Sequence, residues 1–172
     1  MINFSKKLAG GDRRSIGNSN ELVAAVLQRP ELFPKLIEHL WSNDPIVRMR
    51  AADAVEKVSV KRPELLQAFK EELLGLADEA TQAELRWHLA LMLPRLHLTP
   101  AERMRAVSTV RPYLDDPSSI VRTCALQGMA DLAEGNRKIE AEVVGFLEKA
   151  LRNGTPAMKA RARKLMARLK TK

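Results

Sequence analysis

The amino-acid sequence predicts an all-α protein, a right-handed α-solenoid of about four helical hairpins preceded by a capping helix. Two observations carry this prediction. A hydrophobic residue followed by a basic one recurs at a nearly constant spacing, and the apolar residues after each of these steps repeat with the period of an α-helix. No segment shows the alternating pattern of a strand. The predicted hairpins cover approximately residues 30–60, 62–97, 99–134 and 137–171.

The recurring step begins at Val47, Leu85, Val121 and Met158, with separations of 38, 36 and 37 residues. Four, eight and eleven positions after each step stands another apolar residue. These residues are Ala51, Val55 and Val58; Leu89, Leu93 and Leu96; Ala125, Met129 and Leu132; and Ala162, Met166 and Leu169. Such spacing places side chains on one face of a helix. We therefore expect each copy to be the second helix of a hairpin, with this face in the core.

The elements before the second helices are predicted from capping signals. A short opening helix over residues 21–28, capped by Asn18 and Glu21, is expected to cover the first hairpin with Leu22, Val23 and Val26. Proline suits the first position of a helix because no amide hydrogen is needed there, so Pro30, Pro63 and Pro100 are expected to begin first helices. Thr99 to Glu102 reads as a capping box.

The positive charge of the chain lies mainly at its two ends. The net charge is +8, of which residues 154–172 supply +7 and residues 1–17 supply +3, leaving −2 for the rest. Residues 1–17 also contain three glycines and several polar residues. We expect them to form a flexible basic arm, followed by one domain over residues 18–172.

Several classes of site and location are not expected. The single cysteine, Cys124, allows neither an intramolecular disulfide nor a thiolate cluster. No secretory leader or run of about 18 apolar residues is present, which favours a cytoplasmic protein without membrane contact. No catalytic, metal or cofactor motif is apparent, so we expect neither a cofactor nor an enzyme. The one alternative is a reactive pair of Cys124 with His88, which occupies the same helical column.

The segment Asn43-Asp44-Pro45-Ile46-Val47-Arg48-Met49-Arg50-Ala51-Ala52 resembles the HEAT repeat, and Asp116 to Ala125 repeats it with a slightly longer turn. The resemblance covers about residues 30–171. It implies a scaffold that binds a protein, a nucleic acid or occasionally a small molecule.

The resemblance also implies a hydrogen-bonded ladder between the turn aspartates and the arginines of the Val-Arg step. This role carries over to Asp44 with Arg48 and to Asp116 with Arg122. Arg86 stands in the same column, but its aspartate, Asp78, is offset. In the fourth hairpin Asn153 and Lys159 replace the acid and the arginine, so no ladder is expected there.

Functional residues are expected among those that point away from the shared core face. In HEAT proteins the second helices usually line the concave surface, which here would carry a partner-binding site of Met49, Trp87, Leu91 and Gln127. Trp87 has a competing interpretation as a half-buried packing residue. A basic patch is expected from Lys159, Arg161, Lys164 and Arg168.

These surfaces predict a non-enzymatic scaffold or adaptor that binds a protein or peptide. The alternative is a nucleic-acid-binding HEAT protein that uses the basic C-terminal helix, or more remotely a DNA glycosylase built from HEAT-like repeats. The oligomeric state and the identity of the partner are not predicted.

Overall fold

The computed structural model describes residues 2–10 and 15–170 of the chain. All regular secondary structure in these residues is helical, and no strand occurs among them. The predicted all-α class is therefore confirmed. None of the helices in these ranges is long and apolar enough to cross a membrane. The chain forms two compact units, Met1–Lys70 and Glu71–Lys172, called unit 1 and unit 2 below.

Unit 1 is built around one long helix. Its α-helices are α1 (Phe4–Leu8), α2 (Ser19–Gln28), α3 (Phe33–Ile37) and α4 (Pro45–Lys61). Single turns of 3-10 helix follow at Pro30–Leu32 and Glu38–Trp41, and a longer stretch follows at Pro63–Phe69. Helices α1, α2 and α3 all pack against α4. The predicted capping helix is thus present as α2, beginning at Ser19 rather than Glu21, with Leu22 and Val26 buried.

Residues 4–8, expected in a flexible arm, instead form a packed helix. Phe4 and Leu8 of α1 are buried. The reason is Arg50 of α4, which is only 3% exposed and whose guanidinium donates hydrogen bonds to the carbonyls of Leu8, at 2.9 Å, and Ser15, at 3.0 Å. A buried guanidinium needs many acceptors, and the backbone of this segment supplies them. Residues 11–14, the centre of the predicted arm, lie outside the described residues.

Unit 2 is arranged around a central helix, α8. Its helices are α5 (Lys70–Glu79), α6 (Ala83–Met92), α7 (Pro100–Val110), α8 (Ser119–Leu132), α9 (Arg137–Asn153) and α10 (Pro156–Lys170), with 3-10 stretches at Leu93–Arg95 and Arg111–Asp115. The predicted second helices α6 and α10 both pack against α8, and the predicted first helices α7 and α9 also pack against it. Gly128 allows α8 to approach α6 closely, because a Cβ there would lie 2.2 Å from the carbonyl oxygen of Ala90.

The predicted helix starts are largely confirmed. The capping box of α7 is complete, since the amide of Glu102 donates to the Thr99 hydroxyl and the amide of Thr99 donates to the Glu102 carboxylate. Pro100 is the first residue of α7, whereas Pro30 and Pro63 each begin a 3-10 stretch. A 3-10 stretch can replace the first turn of a helix, so the signal is correct although the helix type differs.

The predicted core face is buried in three copies and partly exposed in the fourth. Val47, Leu85 and Val121 are at most 6% exposed, and the residues four, eight and eleven positions after each of them are also buried. Met158, the fourth copy, is half-buried. In α10 full burial is confined to Ala162 and Leu165, the side on which α8 and α9 pack.

Candidate functional site

The structure divides the predicted partner-binding residues. Met49 is only 7% exposed, so its assignment to a binding surface is wrong. The reason is that α4 is packed by three helices of unit 1, which cover the ridge that helical geometry alone would leave free. Trp87, Leu91 and Gln127, all in unit 2, are half-buried and remain in reach of a partner.

Trp87 is held in place by its neighbour. Its indole N–H donates to Nε2 of His88 at 3.3 Å, and the two ring centroids are 5.5 Å apart. Nδ1 of His88 lies 2.7 Å from the carbonyl of Glu84. Because a carbonyl only accepts, Nδ1 carries the proton and Nε2 is the acceptor for Trp87. This geometry supports the packing interpretation of Trp87, with part of its ring still exposed.

Gln127 belongs to a polar network that joins α8 to α10. Its amide nitrogen donates to both carboxylate oxygens of Asp131, at 2.9 and 2.8 Å, and its amide oxygen accepts from Arg161 at 2.7 Å. Arg168 donates to Asp131 at 2.6 Å. Two of the four predicted basic-patch residues are therefore engaged with α8. Lys159 is half-buried, whereas Lys164 is exposed together with Arg163.

The arginines of the recurring step make the same bond in three helices. Each donates to the carbonyl oxygen of the residue six positions earlier, in the turn that precedes its helix. The acceptors are Ser42 for Arg48, at 2.8 Å, Ala80 for Arg86, at 2.7 Å, and Asp116 for Arg122, at 2.6 Å. Repetition of this contact supports the structural role predicted for all three arginines.

The aspartates of the predicted ladder share one backbone contact and differ in a second contact. Asp44 caps α4, accepting from the amides of Ile46 and Val47 at 2.8 and 3.4 Å. Asp116 likewise accepts from the amide two residues on, that of Ser118, at 2.8 Å. It also accepts an ion-pair hydrogen bond of 2.8 Å from Arg86 of α6. Its side chain is only 5% exposed. Asp44 and Asp116 are therefore not equivalent, since Asp44 stands four residues before its arginine and Asp116 stands six before Arg122.

Arg86, for which the ladder was expected to fit poorly, thus makes an ion pair that joins α6 to the turn before α8. The ring of Tyr113 lies beside it, 5.3 Å from the guanidinium carbon, and the Tyr113 hydroxyl donates to the carbonyl of Ala77 at 2.6 Å. Asp78, the offset aspartate, pairs with Arg105 at 2.8 Å. Arg86 therefore contacts an aromatic ring and a carboxylate, both from the segment between α7 and α8.

Unit 2 also contains a cavity that the sequence analysis did not predict. It has a volume of about 540 Å³ and lies between the 3-10 stretch Arg111–Asp115 and helices α8, α9 and the start of α10. Its apolar lining comprises Leu114, Leu126, Phe146, Ala150 and Met158. This volume is within the range of small-ligand pockets, about 300–1,000 Å³.

The charged groups around the cavity are unequally paired. Arg111 donates to Glu142 at 2.7 Å, and Lys149 lies 3.6 Å from Asp115. Arg122 donates to the carbonyls of Asp116 and Pro117, but it has no carboxylate partner among the described residues. The cavity therefore combines an apolar interior with one half-buried guanidinium whose charge is not compensated by an acid.

The remaining candidate groups are individually satisfied or dispersed. His39 has one ring nitrogen 2.9 Å from the carbonyl of Lys35 and the other 3.0 Å from the hydroxyl of Ser5. Cys124 is half-buried on α8. Within residues 2–10 and 15–170, no cluster of three or more His, Cys, Asp or Glu side chains is arranged to hold a metal ion.

Comparison with known proteins adds no relative. No protein-family model, no curated protein and no solved structure matches this chain.

Proposed function

We propose that the protein is a non-enzymatic scaffold of HEAT-like helical hairpins, stacked as a right-handed α-solenoid, that binds a segment of a protein or peptide partner. Stacked hairpins bury a common core and leave extended surfaces that suit elongated ligands. In unit 2 the repeated bond from Arg86 and Arg122 to their turn carbonyls supports the equivalence of successive hairpins.

The observation that carries this proposal is the 540 Å³ cavity. Its interior is apolar, and its rim carries both signs of charge from Arg111, Glu142 and Lys149. An anchoring side chain of a partner typically enters an apolar pocket surrounded by a polar rim. The cavity therefore replaces Met49 as the centre of the proposed site, and Trp87 and Leu91 are a second surface to be tested beside it.

The test is direct binding of defined peptides. The purified chain is screened against an array of random peptides with free carboxyl termini, and hits are measured by fluorescence anisotropy. Met158→Trp places a ring into the cavity and is expected to weaken binding by about tenfold or more, equivalent to about 1.4 kcal/mol. Met104→Trp is the matched control, because Met104 is 46% exposed on α7 and does not line the cavity.

Two further variants separate the cavity from the surface predicted by the sequence. Loss of binding in Trp87→Ala and Leu91→Ser, with Met158→Trp unaffected, would move the site to α6. If no peptide binds the wild-type chain, or if binding is equal in all these variants, the proposal is wrong.

Nucleic acid is the second candidate, and the charge of α10 favours it. This helix contains six basic residues and no acidic one over Pro156–Lys170, and Arg163 and Lys164 are exposed. Contacts to phosphate would give affinity without base readout.

The affinity of a duplex DNA for the chain distinguishes this candidate. Binding through phosphates should fall steeply as salt is raised and should be lost in the double variant Arg163→Glu, Lys164→Glu. Arg161 is a poorer choice for this test, because it is already bonded to Gln127. A salt-independent affinity, or one that the double variant leaves unchanged, would exclude this mode.

A further inference from the structure

Two successive intervals between hairpins in unit 2 can be compared residue by residue. The turns before α8 and α10 follow one pattern, since the amide of Val121 donates to the Ser118 hydroxyl and the amide of Met158 donates to the Thr155 hydroxyl. The hydroxyls of Ser118 and Thr155 are therefore in register with a shift of 37 residues. This shift places Asn153 at the position of Asp116 and Ala150 at the position of Tyr113. The segments before the two hydroxyls differ in backbone, since Tyr113 lies in a 3-10 stretch that ends at Asp115 and Ala150 lies in α9, which ends at Asn153.

In the earlier interval both of these positions serve one arginine. The Tyr113 ring lies 5.3 Å from the guanidinium carbon of Arg86, and the Asp116 carboxylate accepts from Arg86 at 2.8 Å. Tyr113 and Asp116 are 5% and 6% exposed. A smaller cavity of about 410 Å³ remains beside them, with Tyr113 and Arg86 in its lining.

In the later interval the arginine is kept, whereas the ring and the acid are absent. Arg122 stands 36 residues after Arg86 and makes the same bond to its turn carbonyl. Ala150 has no ring to place beside it, and Asn153 has no negative charge. Ala150, Asn153 and Arg122 all line the 540 Å³ cavity. The cavity therefore lies beside Arg122, which lacks the aromatic ring and the carboxylate that contact Arg86 in the earlier interval.

We infer that the cavity binds a ligand that carries a carboxylate close to an aromatic ring, and that this ligand replaces Tyr113 and Asp116 in the second interval. The carboxylate pairs with Arg122, whose planar guanidinium matches it. The ring occupies the apolar space lined by Leu126, Phe146 and Met158. If the protein binds a peptide, as proposed above, the residue in the cavity is a C-terminal aromatic amino acid, which carries both the carboxylate and the ring.

The charges of the wall support a carboxylate rather than a neutral or cationic group. Glu142 and Asp115 are each matched by a cation at 2.7 and 3.6 Å. Arg122 is the one cation of the lining that makes no ion pair with an acid among the described residues. A half-buried charge of this kind gains more from a counter-ion than an exposed one does. An amine in the same place would meet like charge.

The experiment compares four probes by isothermal titration calorimetry with the full chain. They are acetyl-glycyl-glycyl-phenylalanine with a free carboxylate, its C-terminal amide, the corresponding alanine peptide with a free carboxylate, and 3-phenylpropanoate. We expect the free phenylalanine peptide to bind at least tenfold more tightly than the amide and than the alanine peptide. Equal affinity of acid and amide, or of phenylalanine and alanine peptides, would overturn the inference.

Variants locate the site. Arg122→Gln should abolish the preference for acid over amide, whereas Arg137→Gln, the same change of charge at an exposed residue outside the lining, should keep it. Because Arg122 also holds its turn, a second variant avoids the risk of unfolding. Ala150→Tyr with Asn153→Asp rebuilds the ring and the acid from within, and should eliminate binding while leaving the protein folded. Binding that survives in this double variant contradicts the inference.

The outcome also separates this inference from the proposed function. If 3-phenylpropanoate binds with the same dependence on Arg122 but none of the peptides binds, the ligand chemistry is correct and the protein-binding function is wrong. If random peptides bind in a way that Met158→Trp disrupts, without any preference for an aromatic carboxylate, the function stands and this inference fails.

Discussion

Substitution of Gly128 by alanine tests how closely two helices of unit 2 approach each other. A Cβ at Gly128 would lie 2.2 Å from the carbonyl oxygen of Ala90, whereas ordinary contacts begin at 3.4 Å, so α6 and α8 would have to separate by about 1.2 Å. The obstructing atom belongs to the backbone and cannot rotate away. Overpacking costs about 1–3 kcal/mol, and we expect the upper end of this range. Alanine also gains about 1 kcal/mol over glycine within a helix, so the expected net destabilisation is about 2 kcal/mol.

The assay is urea unfolding followed by far-ultraviolet circular dichroism. With a slope of about 2 kcal/mol per molar urea, the midpoint of Gly128→Ala should fall by about 1 M. Gly145→Ala is the matched control, because Gly145 is also helical but a Cβ there meets nothing within 4 Å. It should stabilise the protein by about 0.5–1 kcal/mol. If both variants shift the midpoint upward, the close approach of α6 to α8 is wrong.

Two further predictions concern buried polar groups. Burial raises the pKa of Tyr113, the only tyrosine of the chain, to about 12. The folded protein therefore keeps a proton that the unfolded chain loses near pH 10. The free energy of unfolding should fall as pH rises from about 10 to about 12. Tyrosinate absorbance measures this pKa, and Tyr113→Phe should remove this contribution to the loss of stability at high pH. Ionisation of Tyr113 near pH 10 in the folded protein would contradict its burial. Arg50→Leu should leave the carbonyls of Leu8 and Ser15 without the Arg50 donor and destabilise unit 1 by about 2–3 kcal/mol. Hydrogen exchange of the amides of residues 4–8 should become faster in this variant. An unchanged exchange rate would refute the prediction.

The all-α class and the buried helix faces were predictable because their signals are local. The apolar faces that begin at Val47, Leu85 and Val121 are buried as their periodicity indicates, and the capping box at Thr99 is formed. Periodicity reports which face of a helix is apolar, and burial follows wherever a neighbour exists to cover that face. Helices α4 and α8 contain every position of their predicted face, whereas α6 ends at Met92, before the last two positions.

The errors arise where a residue's surroundings come from a distant segment. Met49 was assigned to a free surface because nothing in its own helix shows that α1 and α2 pack against α4. No signal in the sequence predicted a role for Arg50, although its guanidinium donates to backbone carbonyls 35 to 42 residues earlier in the chain. Non-local contacts of this kind leave no periodic trace, so the packing of residues 4–8 was missed.

The cavity became interpretable when the surroundings of Arg122 were compared with those of Arg86. Arg86 and Arg122 each donate to the carbonyl six residues earlier, so the side chains around them can be compared position by position. Asn153 was visible in the sequence as a lost acid, but Ala150 acquired meaning only when the structure placed Tyr113 beside Arg86. A fold that only required stability would gain from an acid beside Arg122, since an arginine without a counter-ion contributes less than a paired one. Departures from an otherwise consistent pattern are concentrated at functional sites, and two departures around one retained arginine are best explained by a ligand that supplies both groups.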